Sequence, residues 1–276
     1  MRFILYINFI LFIPFCEKVV GQSKIQEVGV RAPDNVKIDG RTLEWRDDKM
    51  QAYNSANDVA YTVSNDDANL YLTVRAPYYI GPAKILYGGL TFMVSHGLER
   101  KDREKANNNV AVTFPILTDQ VAQDLVMSLI SYRGMNKDSS RRVSQHDSLV
   151  RVIDKKALKA FTEFRITGIP SLDTLQSIYN ETGVKAMATF SRAMTLCIEM
   201  AIPLKYLGLS VNDGTKFSYN IKLNGRFFDF ASYRSQNTSG IGNSNPTAPQ
   251  APQISPDFEF MNSPSDFWGT CVLIKK

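Results

Sequence analysis

The chain has few of the side chains on which metal and redox chemistry depend. Its 276 residues include 2 His, 3 Cys and 2 Trp. Neither His96 nor His146 has a second His, Cys or carboxylate at a metal-site spacing such as His-x-x-x-His. The sequence therefore indicates no metal site and no cofactor.

Motifs of nucleophilic and phosphoryl-transfer catalysis are missing as well. There is no G-x-S-x-G nucleophile elbow and no glycine-rich phosphate loop. His146, Asp147 and Ser148 have the residue types of a triad, but sequence neighbours cannot line up as one. Lys and Arg do not gather with interleaved aromatic residues, so we expect no nucleic-acid partner. These absences favour a protein without catalytic activity.

The first 22 residues have the layout of a secretory signal. Arg2 is followed by an apolar run, Phe3–Phe15, that only Asn8 interrupts, and then by small and polar residues. The run is shorter than the roughly 20 residues that a membrane-spanning helix needs. We therefore expect a signal peptide at 1–22 and an exported chain (periplasmic, outer-surface or secreted) without a membrane span. Acylation of Cys16 is the less favoured alternative, because Phe15 stands where lipoprotein signals carry a small residue.

Cleavage would leave 30 basic and 26 acidic side chains, a net charge of +4, and two cysteines. In an exported protein Cys197 and Cys271 could form a disulfide. Two buried thiols are equally consistent with the sequence, because unpaired cysteine is among the most buried residue types. Both alternatives stay open.

Most of the remaining chain alternates apolar and polar residues with a period of two, as β-strands do. Val59–Val63 and Leu70–Val74 predict a hairpin around the acidic loop Asn65–Asn69. This loop could attract calcium, but it cannot supply the 6–8 oxygens that calcium prefers, so we interpret it as a turn. Further strands are predicted at Val36–Asp39, Gly88–Ser95, Val110–Pro115, Val150–Ile153, Phe161–Ile166, Val184–Phe190, Leu196–Met200, Lys216–Leu223 and Phe267–Ile274.

Two segments depart from this pattern. Asp119–Tyr132 has apolar residues at helical spacing and predicts an amphipathic helix. Residues 235–256 are rich in Asn, Ser, Gly, Pro and Gln, which predicts a flexible loop rather than a domain boundary. The sequence thus predicts a mainly β fold. We expect one antiparallel β-sandwich domain at 23–276, with jelly-roll or immunoglobulin-like layers and one inserted amphipathic helix.

Two motifs resemble those of a known group of sandwich domains. Ile38-Asp39-Gly40 with Glu44-Trp45, followed by Asn65–Leu72, resembles the opening of carbohydrate-binding module family nine and its DOMON-type relatives. Glu199–Gly208 is similar to the later E-x-A-I-P-x-x-x-L-G signature of that group, and the two motifs occur in the expected order. The resemblance implies an exported bacterial sandwich protein that binds polysaccharide or glycan.

The chain departs from that family in its aromatic residues. The family's sugar site uses two facing tryptophans, whereas here Trp45 belongs to the first motif and leaves Trp268 alone. Tyr78, Tyr79 and Tyr87 follow the hairpin and could form a replacement platform, although partly buried tyrosines would give the same pattern.

The sequence favours an exported, non-catalytic binding module for polysaccharide or glycan at the cell envelope. A structural envelope protein that acts through protein–protein contacts is the alternative, and a hydrolase is a third hypothesis. Some DOMON relatives bind haem through Met and His, and Met93 lies near His96. We nevertheless interpret His96 as a strand-end residue.

Overall fold

The structure is a computed structural model that describes residues 23–45, 50–77, 80–103, 108–134, 140–226 and 256–276. Three sequence predictions fall outside these residues. They are the signal peptide at 1–22, the tyrosines Tyr78 and Tyr79, and the flexible loop at 235–256 except for its last residue.

Twelve strands within the described residues form two six-stranded sheets. Their inner faces share one hydrophobic core. Sheet A contains β1 (Val30–Arg31), β2 (Ala52–Asn54), β3 (Val59–Asn65), β4 (Asn69–Ala76), β9 (Lys185–Phe190) and β10 (Leu196–Pro203). Sheet B contains β5 (Leu90–Ser95), β6 (Val110–Phe114), β7 (Glu163–Thr167), β8 (Leu175–Ser177), β11 (Lys216–Leu223) and β12 (Ser265–Val272).

The strand order is β1-β3-β4-β10-β9 in sheet A, where β2 also pairs with β3, and β12-β11-β5-β6-β7-β8 in sheet B. Among these named strands, β1 and β3 run parallel and the other pairs are antiparallel. The predicted mainly β, antiparallel sandwich is confirmed.

The predicted hairpin is β3 and β4, with Val63 opposite Leu72. In its turn, Asp66 Oδ1 accepts hydrogen bonds from the amides of Ala68 (2.7 Å) and Asn69 (2.6 Å). Its Oδ2 accepts one from the Tyr71 hydroxyl at 2.6 Å. Burial raises the pKa of Asp66, but these bonds outweigh burial and hold the pKa below its usual value. The carboxylate therefore stabilises the turn itself.

The helices within the described residues are α1 (Ile80–Gly88), α2 (Arg100–Arg103), α3 (Asp119–Gly134), α4 (Ser140–Ala160), α5 (Leu204–Leu207) and α6 (Pro256–Asn262). The amphipathic helix predicted at Asp119–Tyr132 is α3. None of the helices in this part of the chain is long and apolar enough to cross a membrane.

The strands predicted at Val36–Asp39 and Val150–Ile153 are wrong, because the first segment has no regular secondary structure and the second lies in α4. Val150, Ile153 and Ala157 are buried at helical spacing in the main hydrophobic core. The β-branched side chains suggested a strand, but the buried positions follow the helical period.

The two cysteines do not form a disulfide. Cys197 lies on β10 of sheet A and Cys271 on β12 of sheet B, and both are buried thiols. Of the two alternatives that the sequence left open, the structure shows the second.

Asn65 ties β3 to segments from both ends of the described chain. Its carbonyl accepts a hydrogen bond from the Ala32 amide at 2.9 Å. Its side chain pairs with the backbone of Ile274, donating to the carbonyl at 2.9 Å and accepting from the amide at 2.8 Å. One side chain thus replaces a strand-to-strand link beyond the end of β12.

A closed polar cluster lies between the sheets. Tyr61 and Tyr219 bring their hydroxyls to 3.0 Å, and Tyr219 donates to the Gln26 carbonyl at 2.7 Å. The Gln26 main-chain amide donates to the Tyr61 hydroxyl at 2.9 Å. Tyr61 can therefore donate its own proton to the Tyr219 hydroxyl, and both phenol protons have an acceptor. The Tyr219 ring lies over Gly269 on β12, where a Cβ would overlap it.

We expect Gly269→Ala to lower the free energy of unfolding by about 3 kcal/mol, because the added methyl group must displace a buried ring. Gly81→Ala is the matched control, since its Cβ would lie 3.6 Å from the Ala76 Cβ, an ordinary contact. It should leave stability equal or raise it by up to about 1 kcal/mol. Urea denaturation followed by circular dichroism measures both. Equal midpoints for the two variants would contradict the close packing of Tyr219 on Gly269.

Candidate binding cleft

Residues 32–45, here called the strap, cross the outer face of sheet A. This face carries the residues of β4 and β10 that alternate with the core positions, such as Tyr71 and Ala201. Trp45, at the end of a 3₁₀ turn (Leu43–Trp45), packs with both and with Ala32 in a second hydrophobic cluster. Trp45 is therefore a core anchor, but of a small core outside the main one.

A single buried carboxylate fixes the strap to the sheet. Glu199, in the middle of β10, is 1% exposed. Its Oε2 accepts hydrogen bonds from the amides of Gly40 (2.8 Å) and Asp39 (3.1 Å). Its Oε1 accepts one from Trp45 Nε1 at 3.1 Å. The two sequence motifs thus meet at one group, because the second motif supplies the acceptor and the first supplies its three donors.

The backbone of the strap fits closely against the sheet. Gly40 has a φ of 78°, and a Cβ there would lie 2.8 Å from the Ala188 carbonyl carbon, so a larger residue has no room. The Thr189 hydroxyl donates to the Gly40 carbonyl at 2.8 Å. Arg75 donates to the Thr42 hydroxyl at 3.1 Å and to its carbonyl at 3.2 Å.

Burial raises the pKa of Glu199 to about 7, and its three N–H donors lower it less than burial raises it. The folded protein therefore binds more protons at this group than the unfolded chain does between about pH 4.5 and 7. Its contribution to stability is fully present below pH 4.5 and is lost as the pH rises through 7. Sequence reasoning missed this residue as an anchor, although a lone Glu within an apolar strand was the available signal.

Beside the strap lies a cleft of about 1010 Å³. One wall comes from the strap, the floor from β9 and β10, and the opposite wall from α4 and the turn after β9. The described residues that line it are Asp39, Arg41, Leu43, Asp154, Leu158, Met187, Thr189, Phe190, Ser191, Arg192 and Cys197.

The charged groups of the cleft differ in how they are bonded. Asp39 accepts a hydrogen bond from the Arg41 amide at 2.9 Å, and Asp154 accepts one from the Phe190 amide at 2.8 Å. Arg41 and Arg192 are exposed, and their guanidinium groups have no hydrogen bond or ion pair with any described residue. The carboxylates therefore stabilise the walls, whereas the guanidinium groups face solvent in the cleft.

Of the tyrosines predicted as a sugar platform, Tyr87 is the one that the structure describes, and it is not among the described residues that line this cleft. Tyr87 is half-buried on α1, and the Arg226 guanidinium lies 5.6 Å from its ring centroid. Trp268 lies on sheet B, with the Arg103 guanidinium 5.6 Å from its ring. The cleft residues Arg41, Asp154 and Arg192 were not predicted, because segments far apart in sequence bring them together.

His96 follows the last residue of β5, as predicted for a strand-end histidine. Its Nε2 lies 2.7 Å from the Leu207 carbonyl, which can only accept, so this nitrogen carries the proton. In the described part of the chain, no three His, Cys, Asp or Glu side chains form a group that could hold a metal ion.

A buried lysine lies apart from the cleft. Lys84 on α1 is 1% exposed, and its Nζ donates to the Ser265 hydroxyl at 2.6 Å. The ammonium group lies 3.9 Å from the Phe260 ring centroid, and no described carboxylate pairs with it. Burial lowers the pKa of Lys84 to about 8. The charge is thus stabilised by one hydrogen bond and one aromatic face.

No family model matches the chain, and no curated protein matches it either. The resemblance to carbohydrate-binding module family nine therefore stays a prediction from the two motifs.

We expect Glu199→Gln to lower the free energy of unfolding by about 2 kcal/mol at pH 7, because an amide offers one acceptor oxygen to a site with three donors. Trp45 should become more exposed and its fluorescence emission should shift to longer wavelength. The stability difference from the parent protein should widen from pH 8 to pH 5, since only the parent gains the proton. The exposed strand residue Glu163, changed to Gln, is the control. Parental emission and stability in Glu199→Gln would show that the carboxylate does not hold the strap.

Replacing Lys84 with Met should raise thermal stability at pH 7, because a buried ammonium is replaced by an apolar chain of similar length. Between about pH 8 and the ordinary lysine value of 10.5, the folded parent binds fewer protons than the unfolded chain. The parent therefore becomes relatively more stable as the pH rises, and the advantage of the variant should shrink by pH 10. Melting temperatures at both pH values test this, with exposed Lys216→Met as control. A variant less stable than the parent at pH 7 would mean that the Ser265 and Phe260 contacts outweigh the cost of burial.

Proposed function

We propose that this protein is an exported, non-catalytic binding module that holds a polysaccharide or glycan in the cleft between the strap and α4. The cleft is the observation that carries the proposal. Its volume of about 1010 Å³ is at the top of the range of roughly 300–1,000 Å³ that is typical of ligand sites. A site of this size has room for a ligand larger than a single sugar ring.

The chemistry of the lining also suits a sugar chain. Thr189 and Ser191 supply hydroxyl groups, and Arg41 and Arg192 supply donors. Leu43 and Leu158 supply apolar surface on opposite walls. A mainly apolar lining with a few polar groups is the usual composition of ligand sites.

The bonding of the two cleft carboxylates supports binding rather than hydrolysis. Glycosidases use a pair of carboxyl groups that act directly on the sugar. Asp39 and Asp154 each accept a main-chain hydrogen bond that shapes the wall of the cleft. They therefore have a structural use that a free catalytic acid or base lacks.

Recognition in this cleft would differ from the stacking used by the family that the motifs resemble. Phe190 is the one aromatic residue among the described lining residues, and it is buried. Sugar rings would therefore be held by hydrogen bonds, charge and aliphatic contacts.

Exposed apolar side chains favour a second candidate, a structural envelope protein with a protein partner. Met127 and Ile130 on α3 are 54% and 38% exposed, and Val152 on α4 is 50% exposed. Apolar side chains of this size are enriched where proteins contact one another.

The test is binding of residues 23–276 to a glycan array and to insoluble polysaccharides, followed by calorimetry with the best ligand. Leu158→Gln should weaken binding about tenfold, because it removes apolar contact from one wall. Val152→Gln, on the same helix but outside the described lining, should leave the affinity unchanged.

Failure to bind any polysaccharide would refute the proposal. A stable protein partner that co-purifies with the chain, together with that failure, would support the structural alternative.

A further inference from the structure

We infer that the cleft selects anionic polysaccharides, and that Arg41 and Arg192 bind their acidic groups. The inference rests on the proposed function, because it names the class of ligand for the same cleft.

The two guanidinium groups are the cleft's available charges. Arg41 belongs to the strap and Arg192 to the turn between β9 and β10, and both are exposed. Neither has a hydrogen bond or an ion pair with another described residue. A guanidinium group offers a planar pair of N–H donors that matches the two oxygens of a carboxylate.

The acidic residues of the cleft do not cancel this charge by pairing with the arginines. Asp39 and Asp154 each bond to a backbone amide instead. On α4, Arg151 and Lys155 are exposed, and each lies three residues before a lining residue, Asp154 and Leu158 respectively, which places it beside that residue on the helix surface. Among the described residues, four cationic groups therefore lie in or beside the cleft with two carboxylates, and their combined contribution to the local potential is positive.

The backbone at Arg41 is also fixed before a ligand binds. The amides of Asp39 and Gly40 are bound by Glu199, and the Arg41 amide is bound by Asp39. The Gly40 carbonyl accepts from Thr189. Four hydrogen bonds thus fix the backbone on which this guanidinium group is carried, which lowers the entropy lost on binding.

The scarcity of aromatic rings gives charge the larger part in selectivity. The described lining residues offer no exposed aromatic ring, so they can hold a neutral sugar ring only by uncharged hydrogen bonds and aliphatic contacts. An acidic sugar can instead form charge-assisted hydrogen bonds, which are about twice as strong as neutral ones. Selection by charge is therefore the mode that these residues support.

The experiment compares polygalacturonate with its methyl-esterified form, and dextran sulfate with dextran, using residues 23–276. Each pair keeps the sugar backbone and changes the charge. We expect at least tenfold tighter binding to the charged member of at least one pair. Raising the salt concentration from 50 to 300 mM should weaken that binding, because salt screens exposed charges.

Two double variants locate the effect. Arg41→Gln with Arg192→Gln should weaken binding of the charged ligand at least tenfold. Arg165→Gln with Lys216→Gln removes the same charge from exposed positions of sheet B and should change the affinity less than threefold. Both variants alter exposed side chains, so circular dichroism should show parental stability.

The outcomes separate this inference from the proposed function. Binding to a neutral polysaccharide that Leu158→Gln weakens, without preference for charge, would keep the proposed function and overturn the inference. Equal losses in the two double variants would also overturn it, because attraction would then come from net charge alone. No binding to any polysaccharide would refute both.

Discussion

The carboxylate of Glu199 is the group that holds the strap on the outer face of sheet A. An ionisable group in the middle of a buried strand is costly unless it is hydrogen-bonded. The three donors that satisfy it come from the strap: two consecutive amides and one indole N–H. The strap in turn buries Trp45 and forms one wall of the cleft. The sheet, the strap and the cleft are therefore all stabilised by this one carboxylate.

This dependence gives the two sequence motifs a physical meaning. The glycine at 40 fits against β9, the tryptophan at 45 covers β4 and β10, and Glu199 binds both segments. Gly40, Trp45 and Glu199 are accounted for by the anchoring of the strap. A resemblance that rests on such residues indicates a similar fold rather than a similar ligand. Ligand recognition depends on neighbours such as Arg192 and Leu158, which belong to neither motif.

The sequence predicted elements whose pattern is local and regular, such as the β3–β4 hairpin and α3. It missed α4, because its first half is polar and Val150–Ile153 is rich in β-branched residues. It also missed the cleft. The cleft is lined by residues 39–43, 154–158 and 187–197. The sequence of one segment does not show that it lies next to the other two in the folded protein. Contacts of this kind follow from tertiary packing, which overrides local propensity.

The clamp around Asn65 has a consequence for the order of folding. β3 is made early, yet its end is completed by Ile274, more than two hundred positions later. Sheet B is likewise incomplete until β12 is made, because β12 pairs with β11 and forms one edge of the sheet. In a chain that emerges from its N-terminus, β11 lacks its second neighbour until β12 is made, and the Asn65 side chain lacks Ile274. Pairings of high sequence separation form slowly. Until β12 is made, sheet B has an unpaired edge at β11, and unpaired strand edges make a partly folded chain prone to aggregation.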